Sequence, residues 1–174
     1  MPTGFSKVLA VTEHGRQLST QEVLRRGLVT PYPGWPDWLP HQEGELPLGP
    51  NLFLDAGRQY LAYAWGYRSP VSNVAVASFG VGTGTVPPIT QDTALQAPVA
   101  FASGLFTKPV DNVTYPNPFI AQVNYTLAAA DCNGYLISEV GFFSGDGTLL
   151  IRLVRTGLNK QSSIAFSCGH SVRF

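Results

Sequence analysis

Ile164-Ala165-Phe166-Ser167-Cys168-Gly169-His170-Ser171-Val172-Arg173-Phe174 decides the fold class of this chain. Ile164, Phe166, Cys168, His170, Val172 and Phe174 fall on one side of an extended backbone. Ser163, Ala165, Ser167, Gly169, Ser171 and Arg173 fall on the other. A period of two is the mark of a strand with one buried face. Working upstream, Leu149, Ile151 and Leu153 alternate, although Leu150 on the opposite face is also apolar. Ser144-Gly145-Asp146-Gly147 separates that run from Tyr135–Phe143 and predicts a hairpin turn, with glycine supplying positive φ. Asp131-Cys132-Asn133-Gly134 predicts another. Ala121, Val123, Tyr125 and Leu127 alternate with Gln122, Asn124 and Thr126, and Val71–Val81 is apolar and partly β-branched. Antiparallel strands joined by such turns predict a mainly β domain, an antiparallel sandwich or partly open barrel.

The segment 51–66 predicts one substantial helix packed on the sheets. Leu54, Leu61 and Trp65 recur at helical spacing, Asn51 is a candidate cap and Gly66 a stop. Between 82 and 119, Gly82, Gly84, Pro87, Pro88, Pro98, Pro109, Pro116 and Pro118 predict long surface loops with short strands around 99–106.

Residues 1–50 differ in character, which predicts an N-terminal arm followed by a β domain over 51–174. Ser19-Thr20-Gln21-Glu22 is a capping box, and Gly27 can close the short helix that follows, near 20–26. Six of the fourteen prolines lie between 31 and 50. Proline fixes φ and removes a donor, so this strap is expected to be extended and stiff. It carries Tyr32, Trp35, Trp38 and Leu39. Rigid aromatics on a pre-ordered strap lose little entropy on docking, so these four are the candidate partner-binding residues. The competing expectation is that the strap folds back on its own domain.

Composition narrows the function. Net charge is zero and charged residues make up 13% of the chain, while hydrophobic residues make up 44%. A neutral chain lacks the basic face that displaces phosphate counterions, so no nucleic-acid partner is expected. A surface so poor in charge is expected to be covered by protein. The first ten residues do not form a signal peptide, and no run approaches the ~20 apolar residues of a membrane span, so no membrane partner is expected. Cys132 and Cys168 are too few for a disulfide scaffold and are expected as free thiols.

No catalytic, metal or cofactor site is expected. Val81-Gly82-Thr83-Gly84-Thr85 lacks the Lys-Ser/Thr ending of a phosphate loop and runs into Pro87-Pro88. His14, His41 and His170 share no ligand spacing. Cys168 and His170, two apart on one face, suit a buried pair better than a nucleophile or a metal site. Glu139 stands inside an apolar run and is expected to pair with Arg152 or Arg155 across the hairpin.

Two motifs resemble those of tailed-bacteriophage virion structural proteins. The first is Asn51-Leu52-Phe53-Leu54-Asp55-Ala56-Gly57-Arg58, then Phe79-Gly80-Val81-Gly82-Thr83-Gly84-Thr85, two prolines and Asp92-Thr93-Ala94-Leu95. The second is Ile137-Ser138-Glu139-Val140-Gly141-Phe142-Phe143 with Asp146-Gly147-Thr148-Leu149-Leu150-Ile151-Arg152. In the usual form of the second, Gly-Leu-Phe stands where this chain has Gly141-Phe142-Phe143. The resemblance spans 51–174 and implies a non-enzymatic part of the virion, assembled in the host bacterial cytoplasm. With no fibre shaft after Phe174, it implies a compact piece: a capsid decoration (cement) protein, or a tail or baseplate adaptor that seats a fibre. The implied partners are the major capsid protein or tail proteins and further copies of the chain, with a trimer as one candidate. A carbohydrate-binding sandwich is the third expectation, for which Phe101, Phe106, Tyr115 and Phe119 are available.

Overall fold

The computed structural model describes residues 3–12, 14–39, 41–66, 75–102 and 104–173. The strands are β1 (Thr3–Thr12), β2 (Leu46–Phe53), β3 (Val76–Gly82), β4 (Ala100–Phe101), β5 (Gly104–Leu105), β6 (Thr107–Pro109), β7 (Asn112–Asn117), β8 (Ile120–Leu127), β9 (Leu136–Ser144), β10 (Leu149–Asn159) and β11 (Ile164–Arg173). The helices are α1 (Thr20–Arg25) and α2 (Asp55–Gly66). The main sheet runs β6-β3-β9-β10-β2-β1-β11-β8-β7, and β4 pairs with β5 alone. Every pairing among the described strands is antiparallel. The expected mainly β, antiparallel class is the observed one.

The long sheet folds over on itself at β2. That strand pairs with β1 over Leu46–Asn51, then passes to β10 through Arg152↔Leu52 and Ile151↔Phe53. The two halves face each other across a chain of rings. Phe79 on β3 lies 4.6 Å from Tyr125 on β8, Tyr125 lies 5.2 Å from Phe142 on β9, and Phe142 lies 4.6 Å from His170 on β11. At the far side β6 and β7 are the two free ends of the sheet. One residue step carries the chain between the halves: the Val110 N–H donates to Ala77 and the Asp111 N–H to Asn124. The barrel is therefore left open, and its interior is filled by apolar side chains such as Leu127, Ile137, Leu153 and Phe166.

Local signals read from the chain act as expected at several points. Ser19 accepts from the Glu22 N–H at the start of α1, and Gly27 closes the helix at φ +61. The Glu22 carboxylate, however, takes Arg16 at 3.1 Å on both oxygens. In the 144–147 turn Gly147 sits at φ +84, and the Tyr60 hydroxyl donates to Asp146 at 2.7 Å, which ties α2 to the β9–β10 hairpin. The 131–134 turn exists, but it joins β8 in one half to β9 in the other and is not a hairpin. Lys160 holds it with bonds to the Ala129 carbonyl and Asn133.

Two expectations need correction. Asn51 does not cap a helix: 51–53 finish β2, and α2 begins at Asp55. Nor are residues 1–50 an arm apart from the domain. β1 lies inside the sheet between β2 and β11, and β2 crosses the expected boundary. The prolines are accommodated because β2 is irregular there. Its register with β1 slips at Ser6/Lys7, and Gly49 bends it at φ +107. The strand expected over Val71–Val81 is seen from Val76, and its first four residues lie outside the described ones.

Candidate functional site

The strap lies on its own domain. The Tyr32 N–H donates to the Pro47 carbonyl at 2.8 Å. Phe5 of β1 meets Tyr32 edge-on at 5.9 Å and Trp35 at 6.2 Å, and Trp35 stacks on His41 at 4.4 Å. Leu39 is buried, Trp35 and Trp38 are half-buried, and Tyr32 is exposed. Of the four candidate partner residues, Leu39 is thus spent on the core, and the other three keep some surface.

The exposed aromatics lie elsewhere. Every residue of β7 is exposed, and β7 has a neighbour on one side only. Tyr115 is 74% exposed and Phe119, at the hairpin to β8, is 66% exposed. Phe101 and Leu105 project from the small β4–β5 ribbon, while Phe106 packs inward on Phe79. Pro116 lacks a donor and so blunts the edge against indiscriminate strand pairing.

The two resembling motifs meet at one buried ion network. Arg152 donates through Nε to Glu139 at 2.6 Å, through Nη1 to Asp92 at 2.6 Å, and through Nη2 to the Val86 carbonyl at 3.1 Å. Glu139 also accepts from the backbone N–H groups of Gln96 and Ala97, at 2.8 and 3.1 Å. Gly82 and Gly84 leave room for it: a Cβ on either would lie 2.5 or 2.6 Å from Glu139 Oε2. The network pins the 83–98 loop to β9 and β10. With its donors and acceptors matched, it is structural in character.

Cys168 and His170 are both buried. Burial pushes the Cys168 thiol up to about 12 and the His170 imidazole down to about 3. Both are therefore neutral and shut away from solvent, which is the opposite of a thiolate nucleophile's setting. Among the described residues no three His, Cys, Asp or Glu side chains gather as metal ligands.

One feature escaped the sequence reading. Below the two-residue contact of β2 with β10 the strands part, and a groove of about 860 Å³ opens between them. Tyr32, Leu48, Pro50, Leu136 and Val154 give it apolar walls, and Thr83, Thr85 and Ser138 add hydroxyls. Arg155 is among its lining residues but is only 8% exposed, and its guanidinium is buried near Tyr125 and Cys168. Its Nη2 makes a long 3.4 Å bond to the Ile137 carbonyl, while Nε and Nη1 have no hydrogen-bond partner among the described residues. Burial lowers the Arg155 pKa, against the opposing influence of Tyr125 and Cys168. A guanidinium still stays cationic. The usable signal was the alternation Leu149, Ile151, Leu153, which continued by two places reaches Arg155.

No family model, curated protein or solved structure matches this chain. Among the described residues no helix is long and apolar enough to cross a membrane.

Proposed function

We propose that the chain is a non-enzymatic structural subunit of a tailed-bacteriophage particle, a capsid decoration protein that stabilises the shell through contacts between subunits. The observation that carries this reading is the junction of the two resembling motifs. Gly82, Gly84 and Asp92 from one, and Glu139 and Arg152 from the other, build a single buried lock. A motif whose residues are consumed in holding a loop to a sheet is a motif of architecture. The low charge and the exposed Tyr115 and Phe119 add support, since an aromatic face is what a lasting interface covers. The neighbours are the coat protein and further copies of the chain, in a homo-oligomer for which a trimer is one candidate. Contact falls to the β7–β8 hairpin and to the outer surface of Tyr32, Trp35 and Trp38, with Leu39 withdrawn because it is buried.

The test is the copy number of the chain in purified particles, by quantitative mass spectrometry. Hundreds of copies fit a capsid role, and about a dozen fit the alternative of a tail or baseplate adaptor seating a fibre, by the symmetry of those assemblies. Particles without the chain contradict both. A second reading rests on Tyr115 and Phe119 sharing one hairpin: such a pair can stack on sugar rings, as a receptor-binding sandwich requires. A silent glycan array removes it.

A further inference from the structure

We propose that Lys160 and Asn133 join in an isopeptide bond, an amide between Nζ of the first and the side-chain carbonyl carbon of the second. The staple does not depend on the particle role. Lys160 follows the last residue of β10 and is almost wholly shielded from solvent. Its Nζ donates to Asn133 Oδ1 at 3.0 Å, to the Ala129 carbonyl at 3.0 Å and to the Gln161 carbonyl at 2.9 Å. All three acceptors are neutral groups. A buried cation held only by neutral partners is costly to keep charged. Burial lowers the Lys160 pKa, against the opposing influence of Asp131 and Cys132. A desolvated lysine that gives up a proton becomes a nucleophilic amine.

The three acceptors are not equivalent. Ala129 and Gln161 offer main-chain carbonyls, where attack would cut the chain. Asn133 offers a primary amide, which can lose ammonia. Main-chain bonds fix the approach: the Gly134 N–H donates to the Lys160 carbonyl at 3.0 Å, and the Lys160 N–H donates to the Tyr135 carbonyl at 3.1 Å. The turn is bent sharply on both sides of Asn133, with Cys132 at φ +49 and Gly134 at φ +83. That conformation is uncommon in a residue other than glycine. Held in this way, amine and amide meet at high effective concentration. The ammonium gives one proton to the medium, and Nζ attacks Cγ. The Cγ–Nδ2 bond breaks, and Nδ2 leaves as ammonia with a hydrogen taken from Nζ. Asn133 is exposed, so the ammonia has a way out. The rival reaction of an Asn-Gly pair is attack on the same carbon by the glycine nitrogen. It is opposed here because the Gly134 N–H is engaged by Lys160. The new bond ties the turn after β8 to the end of β10, between residues 27 apart.

The experiment is mass spectrometry of the whole purified chain, aged in the folded state at neutral pH and then denatured. The expected mass is that of the sequence less one ammonia. A tryptic digest is expected to hold one fragment in which the segments carrying Asn133 and Lys160 are joined. Lys160→Arg and Asn133→Ala are expected at the full mass of their own sequences. Attack by the Gly134 nitrogen also expels ammonia, but the succinimide it makes persists in Lys160→Arg and joins no fragments. Should either variant not fold, the joined fragment of the unaltered chain still decides. Absence of that fragment overturns the proposal, whether the chain keeps its full mass, carries the succinimide or gains the mass of Asn133 hydrolysed to aspartate.

Discussion

Glu139 and Arg152 meet at 2.6 Å with neither side chain exposed to solvent. They stand on adjacent strands, offset by two residues in register, since Arg152 lies opposite Gly141 and Val154 opposite Glu139. Both charges are desolvated, so each depends on the other. Removing one partner of such a pair costs about 3–5 kcal/mol, against a total stability of roughly 5–15 kcal/mol for a domain. Arg152→Met is therefore expected to lower the urea midpoint sharply. Arg16→Met, which breaks an exposed pair with Glu22, is expected to leave it almost unchanged. Equal midpoints for the two variants would remove the lock from the account.

The same lock explains why glycine stands at 84. A methyl group there would come within 2.6 Å of Glu139 Oε2 and 2.9 Å of its carboxyl carbon. Since Glu139 is held by three donors, it has little freedom to retreat. Gly84→Ala is expected to cost about 1–3 kcal/mol, as overpacking does. Thermal unfolding measures it, and an unchanged Tm would show that the loop can shift freely.

Acid should weaken the fold through His170. Its pKa in the folded chain, about 3, lies below the ordinary histidine value of 6.5. Between those values the unfolded chain binds a proton that the folded one refuses, so stability falls as pH falls. It is fully present above pH 6.5 and is lost as pH drops toward 3. The slope from one such group is about 1.4 kcal/mol per pH unit. Denaturant titrations from pH 7 to 4 should show a shallower slope for His170→Gln than for the unaltered chain. Parallel slopes would mean that the imidazole charges without unfolding.

Deleting residues 1–12 is expected to prevent folding. β1 is bonded along both edges, to β11 from Thr3↔Arg173 to Thr12↔Ile164 and to β2 from Gly4 to Val8. Its loss strips partners from two neighbours and removes Val8 and Ala10 from the core. Circular dichroism with a urea titration reads the outcome. A cooperative transition in the shortened chain would restore the view that these residues are an accessory arm.

Much of this architecture is legible in local pattern, and the exceptions have physical causes. β11 alternates cleanly because both of its neighbours pair with it in unbroken register. The turn at 144–147 and the cap at Ser19 are legible because each is a local hydrogen-bonding device. β1 hides because both of its faces are covered: Val8 is buried in the core, and Lys7 beside it is buried over Gly169 and paired with Glu45. Two prolines disguise β2, which a bulge and a change of partner make tolerable. Pairing of Glu139 with a basic residue across the hairpin is visible in sequence, but Asp92 and the Gln96 and Ala97 amides are not, because they arrive through a long loop. The groove at Arg155 is assembled from segments that no window spans.

The central claim, that this chain is a virion subunit held by its exposed aromatic face, is tested most directly by hydroxyl-radical footprinting of Tyr115 and Phe119. The free protein and purified particles are labelled side by side. The expected result is strong labelling of both rings in the free chain and protection of both in the particle. Equal labelling in the two samples, or no chain in the particles at all, would contradict it.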